Sequence, residues 1–140
     1  MNNIIRILHL EDEPSDALLV SQNLMQAGFN FECLVVDSEE KFQLAISDFV
    51  PDLILADHSL PSFNSFAALE LLEHMGSKIP LILVTSSMTD EFAVDVITRG
   101  AKDYVLKDRL KRLPSVIINV LEKQRLEQEK EGFLNQTPAK

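Results

Sequence analysis

A chain of 140 residues with 46% hydrophobic and 25% charged side chains has the balance of one globular domain around one core. Its net charge of −9 repels phosphate backbones and argues against direct nucleic-acid binding, and its single cysteine, Cys33, excludes an internal disulfide framework. No apolar run approaches the roughly 18 residues of a membrane span, and the start Met1-Asn2-Asn3-Ile4-Ile5-Arg6 lacks the layout of a signal peptide, so a cytoplasmic protein with no membrane partner is expected.

Apolar runs alternate with helical spacing along the chain. Residues 4–10 form an apolar run that stops at Glu11-Asp12-Glu13-Pro14 and predict a buried strand. Residues 16–27 carry apolar side chains at 17, 20, 24 and 27 and predict a helix, with Gly28 as its stop. A second strand is expected over 31–36 and a helix capped by Ser38 through residue 49, with Glu39 and Glu40 favourable to its dipole. After the Pro51-Asp52 break, residues 53–56 predict a short third strand ending at Asp57. A loop with Pro61 and Asn64 follows, then a helix capped by Ser65 and ending near Met75-Gly76. Residues 81–85 predict strand four, 89–99 a helix closed by Gly100, and 103–106 strand five. Pro114 suits the first turn of a last helix reaching about residue 131.

Strict alternation of strand and helix predicts an α/β fold with a parallel sheet covered on both faces. With right-handed crossovers and five strands, the expected architecture is a flavodoxin-like, doubly wound sheet in the order 2-1-3-4-5. Residues 1–122 make the expected domain. Residues 123–140 read as a polar helical extension or linker, in which Leu126 is the one apolar residue before position 132, with disorder expected over 132–140.

Ligands of such sheets sit at the carboxyl ends of the strands. Strand one ends in Glu11 and Asp12, strand three in Asp57, strand four in Thr85 and strand five in Lys107. Crowded carboxylates need a cation, and an oxygen-only donor set suits Mg²⁺ (or Mn²⁺). Held by such an ion and Lys107, a carboxylate is a poor base and a reasonable phosphoryl acceptor.

Four segments carry a family resemblance: Ile7-Leu8-His9-Leu10-Glu11-Asp12-Glu13-Pro14; Pro51-Asp52-Leu53-Ile54-Leu55-Ala56-Asp57-His58-Ser59-Leu60-Pro61; Pro80-Leu81-Ile82-Leu83-Val84-Thr85-Ser86; and Gly100-Ala101-Lys102-Asp103-Tyr104-Val105-Leu106-Lys107. In this order the chain resembles the receiver domain of two-component response regulators from residue 4 to about 122. The resemblance implies phosphorelay signalling rather than enzymatic turnover. Asp57 would accept the phosphoryl group from a histidine kinase or phosphotransfer protein. Asp12, Asp57 and the backbone carbonyl of Ser59 would bind the metal directly, with Glu11 in its outer shell. Lys107 would pair with the phosphoryl group, Thr85 would turn toward it, and Tyr104 would swing inward. That motion would remodel the surface of helix four, strand five and helix five, toward a downstream effector, attached kinase domains or a second copy in a homodimer.

Three positions depart from the family pattern. Glu11 replaces the commoner Asp, Ser65 stands where many receivers have Gly, and Asp108 replaces the Pro whose bond to the Lys is often cis. Either the Lys107–Asp108 bond is trans with a shifted Lys107, or surrounding contacts hold a strained bond. The Lys107-Asp108-Arg109-Leu110 ending resembles receivers that stand alone or adjoin sensor kinases. Ser59 and Ser87 lack an acid or amide to orient water, so slow self-dephosphorylation is expected. His9 reads as a packed strand residue, His58 as facing away from Asp57, His74 as a helix-end contact and Cys33 as a small buried hydrophobe. The competing functions are a flavin carrier, opposed by the acidic first loop, a phosphatase, opposed by Ser59 in place of a second acid, and a degenerate receiver that binds partners without phosphorylation.

Overall fold

The computed structural model describes the backbone of residues 4–136 and the side chains of residues 4–131. Five parallel strands, β1 (Ile5–Leu10), β2 (Phe31–Val36), β3 (Leu53–Ala56), β4 (Leu81–Thr85) and β5 (Asp103–Leu106), lie in the order β2-β1-β3-β4-β5, the flavodoxin-like arrangement expected from the alternation. Between them run α1 (Pro14–Gln26), α2 (Glu39–Asp48), α3 (Ser65–Met75) and α4 (Asp90–Thr98), and α5 (Leu113–Gln136) follows β5. Every residue of β3 and β4 is buried, as strands covered on both faces require.

Alternate residues of each strand enter two different cores. Leu8, Leu10, Ile54, Ala56 and Leu83 pack with Phe42 of α2, Leu69 and Leu72 of α3 and Val96 of α4. Ile7, Leu53, Leu55, Val84 and Val105 pack with Val20 and Leu24 of α1 and with α5. The α5 contribution is Leu113, Val116, Ile117 and Val120, one stripe at helical spacing. A change such as Phe42→Ala would open a cavity in the first core, since this ring is fully buried.

The helix ends differ from expectation in instructive ways. Helix α1 starts two residues early, because Pro14 at its first position needs no N–H partner there. Gly28, at φ +83°, closes that helix as expected. Ser38 accepts from the Lys41 N–H and caps α2, but α3 is capped by Asn64, which accepts from the Ala67 N–H at 3.0 Å, while Ser65 is the first helical residue. The loop after β5 is a 3-10 segment, Lys107–Arg112, that periodicity did not reveal. Helix α5 remains helical through residues 132–136, where disorder was expected, and residues 137–140 lie outside the described residues.

Val50 is exposed at φ +51°, a conformation that a β-branched residue adopts at a cost. The bend is clamped from both sides. Arg6 Nε donates to the Phe49 carbonyl at 2.8 Å, and the Asp52 N–H donates to the Arg6 carbonyl at 2.7 Å. Val50→Asn is therefore expected to stabilise the fold by about 1 kcal/mol, because Asn tolerates the left-handed region. Thermal melting checks this, and a lowered midpoint would contradict it.

Candidate functional site

The backbone ladder delivers the acids to one edge of the sheet. The Glu11 N–H donates to the Val36 carbonyl at 2.9 Å, and the Asp57 N–H donates to the Leu10 carbonyl at 3.1 Å, so the sheet pattern continues one residue past β1 and β3. Lys107 stands one residue past β5, and Thr85 is the buried last residue of β4.

Lys107 Nζ is the hub. It lies 2.8 Å from Glu11 Oε1, 2.8 Å from Asp57 Oδ2 and 2.7 Å from Asp16 Oδ2. The side chains of Glu11 and Asp57 are 0% and 1% exposed, Lys107 is 13% exposed and Asp16 is 30% exposed. Asp57 also accepts from the Ser59 N–H at 3.2 Å through Oδ1 and from the Ser59 hydroxyl at 2.7 Å through Oδ2. Burial alone would raise the Asp57 pKa, but the bonds from Lys107 and Ser59 outweigh it and hold the carboxyl below its usual value. Burial dominates at Glu11 and raises its pKa despite Lys107. Burial disfavours the Lys107 ammonium, yet the three carboxylates more than compensate and raise its pKa.

Glu11, Asp57, Thr85 and Lys107 thus converge at the strand ends. Asp12 stands apart: it is exposed and has no hydrogen bond or ion pair among the described residues. It lines a groove of about 470 Å³ with Glu11, Pro14, Leu18, Cys33 and Val35. Among the described residues, no three His, Cys, Asp or Glu side chains form a ready metal cage. The donor chemistry nonetheless suits a divalent hard cation. Three carboxylates around one ammonium leave two negative charges over when all are ionised, and every donor is oxygen.

The Lys107–Asp108 bond is trans, as no cis bond occurs among the described residues. The departure from helical geometry falls instead on Arg109, at φ −133° and ψ 42°. Lys107 is not displaced from Asp57 by this. Tyr104 is half-buried and packs against the core formed with α2, α3 and α4.

Sequence reasoning missed Asp16. The signal was Pro14, which starts α1 early enough to put Asp16 in the first turn, facing the strand ends. It also missed the use of Ser65, whose hydroxyl lies 2.8 Å from His58 Nδ1. The His58 ring meets Phe66 and Phe92 edge-on at 4.7 Å each, so it does face away from Asp57, toward α3 and α4. His9 is fully buried, its ring nitrogens have no partner among the described residues, and burial with the nearby Lys107 charge lowers its pKa to about 4. Cys33 is half-buried rather than buried, and desolvation pushes its thiol up to about 11, which makes it a hydrophobe in practice.

The family model for the response regulator receiver domain matches residues 7–118. The regulatory protein AtoC of Escherichia coli is 30% identical over 107 residues, covering 76% of this chain and 23% of that protein. The DNA-binding response regulator MtrA of Mycolicibacterium smegmatis is 29% identical over 102 residues, covering 73% of this chain and 43% of that protein. The chain therefore spans less than half the length of these relatives. Among solved structures, the signal receiver domain of a Luxo repressor protein from Vibrio parahaemolyticus superposes with a TM-score of 0.81 at 25% identity, covering 92% of this chain and 98% of that one. NtrX from Brucella abortus gives a TM-score of 0.82 at 26% identity, over 96% of this chain and 30% of that one. A five-stranded sheet in the order 2-1-3-4-5, acids and a lysine gathered at its strand ends, and a family match over most of the domain lead to one identification: this chain belongs to the receiver domains of two-component response regulators.

Proposed function

We propose that Asp57 accepts a phosphoryl group in a Mg²⁺- or Mn²⁺-dependent reaction with a histidine kinase or phosphotransfer protein, and that the aspartyl phosphate changes the surface formed by α4, β5 and α5. The observation that carries this reading is the Asp57 carboxylate itself, buried, kept ionised, and joined to Lys107 and Ser59 at the end of β3. An Asp57 oxygen attacks phosphorus, the phosphorus–nitrogen bond of the donor phosphohistidine breaks, and the imidazole nitrogen leaves with the electron pair. Asp12, Asp57 and the Ser59 carbonyl would hold the ion, with Glu11 in its outer shell. Bound there, the ion supplies positive charge for the phosphoryl oxygens.

Lys107 supplies a fixed ammonium to the same oxygens, and Thr85, at the end of the neighbouring strand, supplies a hydroxyl. Tyr104, on β5, is the side chain whose burial would follow Thr85. Contacts made only in the phosphorylated state bias the two surface arrangements, as any population shift requires. No external phosphoester is turned over; the chemistry is modification of Asp57 and its hydrolysis.

The partners this reading implies are the phosphodonor and an effector, which is a separate protein, attached kinase domains or a second copy. Residues 1–122 would act as the switch and 123–140 as an extension. No helix among the described residues is long and apolar enough to cross a membrane, and the reading places the domain in the cytoplasm. A second reading, a degenerate receiver that binds partners without phosphorylation, draws support from the exposed Asp12. Incubation with acetyl phosphate, with Mg²⁺ or with a chelator, separates the two. Intact-mass analysis is expected to show one added phosphoryl group, on Asp57 and only with the metal. No modification with Mg²⁺ from either acetyl phosphate or a phosphohistidine protein would favour the second reading.

A further inference from the structure

Asp16 belongs to neither the strand ends nor the acids assigned from the family pattern, yet its Oδ2 is 2.7 Å from Lys107 Nζ across 91 positions of sequence. An ammonium has three N–H donors and no acceptor. Lys107 donates one N–H to Asp16 Oδ2 and one to Asp57 Oδ2, while Glu11 Oε1, 2.8 Å away, is out of line for a hydrogen bond and flanks the ammonium as an ion-pair partner. These three carboxylate oxygens, none farther than 2.8 Å from Nζ, crowd the ammonium, and a phosphoryl oxygen that joins them displaces one.

The three partners differ in what release would leave behind. Glu11, at 0% exposed, would keep a buried charge without its cation. Asp57 is the residue being modified. Asp16, at 30% exposed, can exchange Lys107 for water, and it sits in the first turn of α1, where the helix dipole favours a carboxylate. Resting on the phosphoacceptor reading above, we propose that Asp16 is a positioning residue that holds Lys107 in the unmodified site and competes with the phosphoryl group for it. Asp16 thereby sets how readily the site accepts phosphoryl oxygens, and modification loosens the first turn of α1.

Beryllofluoride, a phosphoryl mimic, tests this in the full chain at saturating Mg²⁺. Asp16→Asn keeps the size and removes the charge. It is expected to tighten apparent beryllofluoride binding by about fivefold or more, the range of a typical coupling between sites. Asp16→Glu is expected to stay within about twofold of wild type, since a carboxylate is retained within reach of Lys107. Amide hydrogen exchange in the first turn of α1 is expected to speed up when beryllofluoride binds wild type, and to be fast already in Asp16→Asn. Circular dichroism confirms that each variant is folded. Unchanged or weaker binding in Asp16→Asn would show that the phosphoryl oxygen takes the place of Glu11 or Asp57 beside Lys107, or that Asp16 only supports Lys107, and would overturn the proposal. Binding to wild type but not to Asp57→Asn keeps the phosphoacceptor reading intact whatever Asp16→Asn does. Equal binding to wild type and Asp57→Asn would overturn both.

Discussion

Asp57→Asn is expected to abolish phosphoryl acceptance while leaving the fold in place. The substitution preserves shape at a position that is 1% exposed, so it opens no cavity. It removes the nucleophile, because an amide oxygen does not form a stable phosphoryl ester. Two opposing effects then act on stability. The charge-assisted bonds from Lys107 and Ser59 weaken, each typically worth about 1.5–3 kcal/mol, while one of three crowded negative charges around Lys107 disappears. The net change in the metal-free protein should be within about 2 kcal/mol. The larger difference appears with metal. Wild type at a Mg²⁺ concentration of 100 times Kd gains about 2.7 kcal/mol, and the variant loses most of that gain. Phosphorylation time courses and melting curves with and without Mg²⁺ measure both effects. A phosphoryl group still acquired by the variant would remove Asp57 from its assigned role.

Lys107→Met should combine a loss of function with a stability defect that depends on pH. Glu11 and Asp57 would remain buried with no cation beside them, and breaking a buried ion pair from one side costs about 3–5 kcal/mol. In wild type, Asp57 has a depressed pKa, so its contribution is present above the unfolded-state value and is lost as pH falls through the folded one. Glu11 runs the other way even in wild type. Its raised pKa means that its contribution is greatest below the unfolded-state value and fades as pH rises through the folded value. Without Lys107 both acids are raised, so the defect should be largest near neutral pH and shrink in mild acid, where they take up protons. Mg²⁺ should offset part of it by replacing the lost positive charge. Phosphorylation should slow by about 10²–10³, the usual effect of deleting one charge-stabilising donor. Urea unfolding at neutral and mildly acidic pH, each with and without Mg²⁺, is the measurement; a defect equal under all four conditions would refute the electrostatic account.

The strands and the four residues at their ends were legible because buried parallel strands are continuous apolar runs that stop abruptly at the edge of the sheet. Glu11, Asp57, Thr85 and Lys107 each stand where such a run ends or one residue beyond it. What periodicity could not supply was the direction of a side chain outside a regular element. Glu11 and Asp12 are neighbours in sequence, yet one is buried against Lys107 and the other faces solvent. Asp16 was hidden for a related reason: a helix start set by apolar spacing misses the turn that Pro14 adds. The conflict at Asp108 was visible in the sequence, but its resolution was not. The irregular backbone at Arg109 absorbs the change of direction while the preceding bond stays trans, and nothing local distinguishes that outcome in advance. At the start of α3, two adjacent residues both suit a cap. Asn64 takes the role because the Ser65 hydroxyl is engaged by His58, a contact between elements that no local pattern records.

Helix α5 carries a mechanical consequence. Its apolar stripe ends near Val120, but the helix continues unbroken to Gln136, braced where Gln124 Nε2 donates to the Lys78 carbonyl at 2.7 Å. The stretch from Val120 to Gln136 is about 24 Å long at 1.5 Å per residue. A rod of that length acts as a lever, and a tilt of about 10° at its root would sweep the far end through roughly 4 Å. Small adjustments beside β5 would thus arrive at a distance as motions on the scale of a side chain.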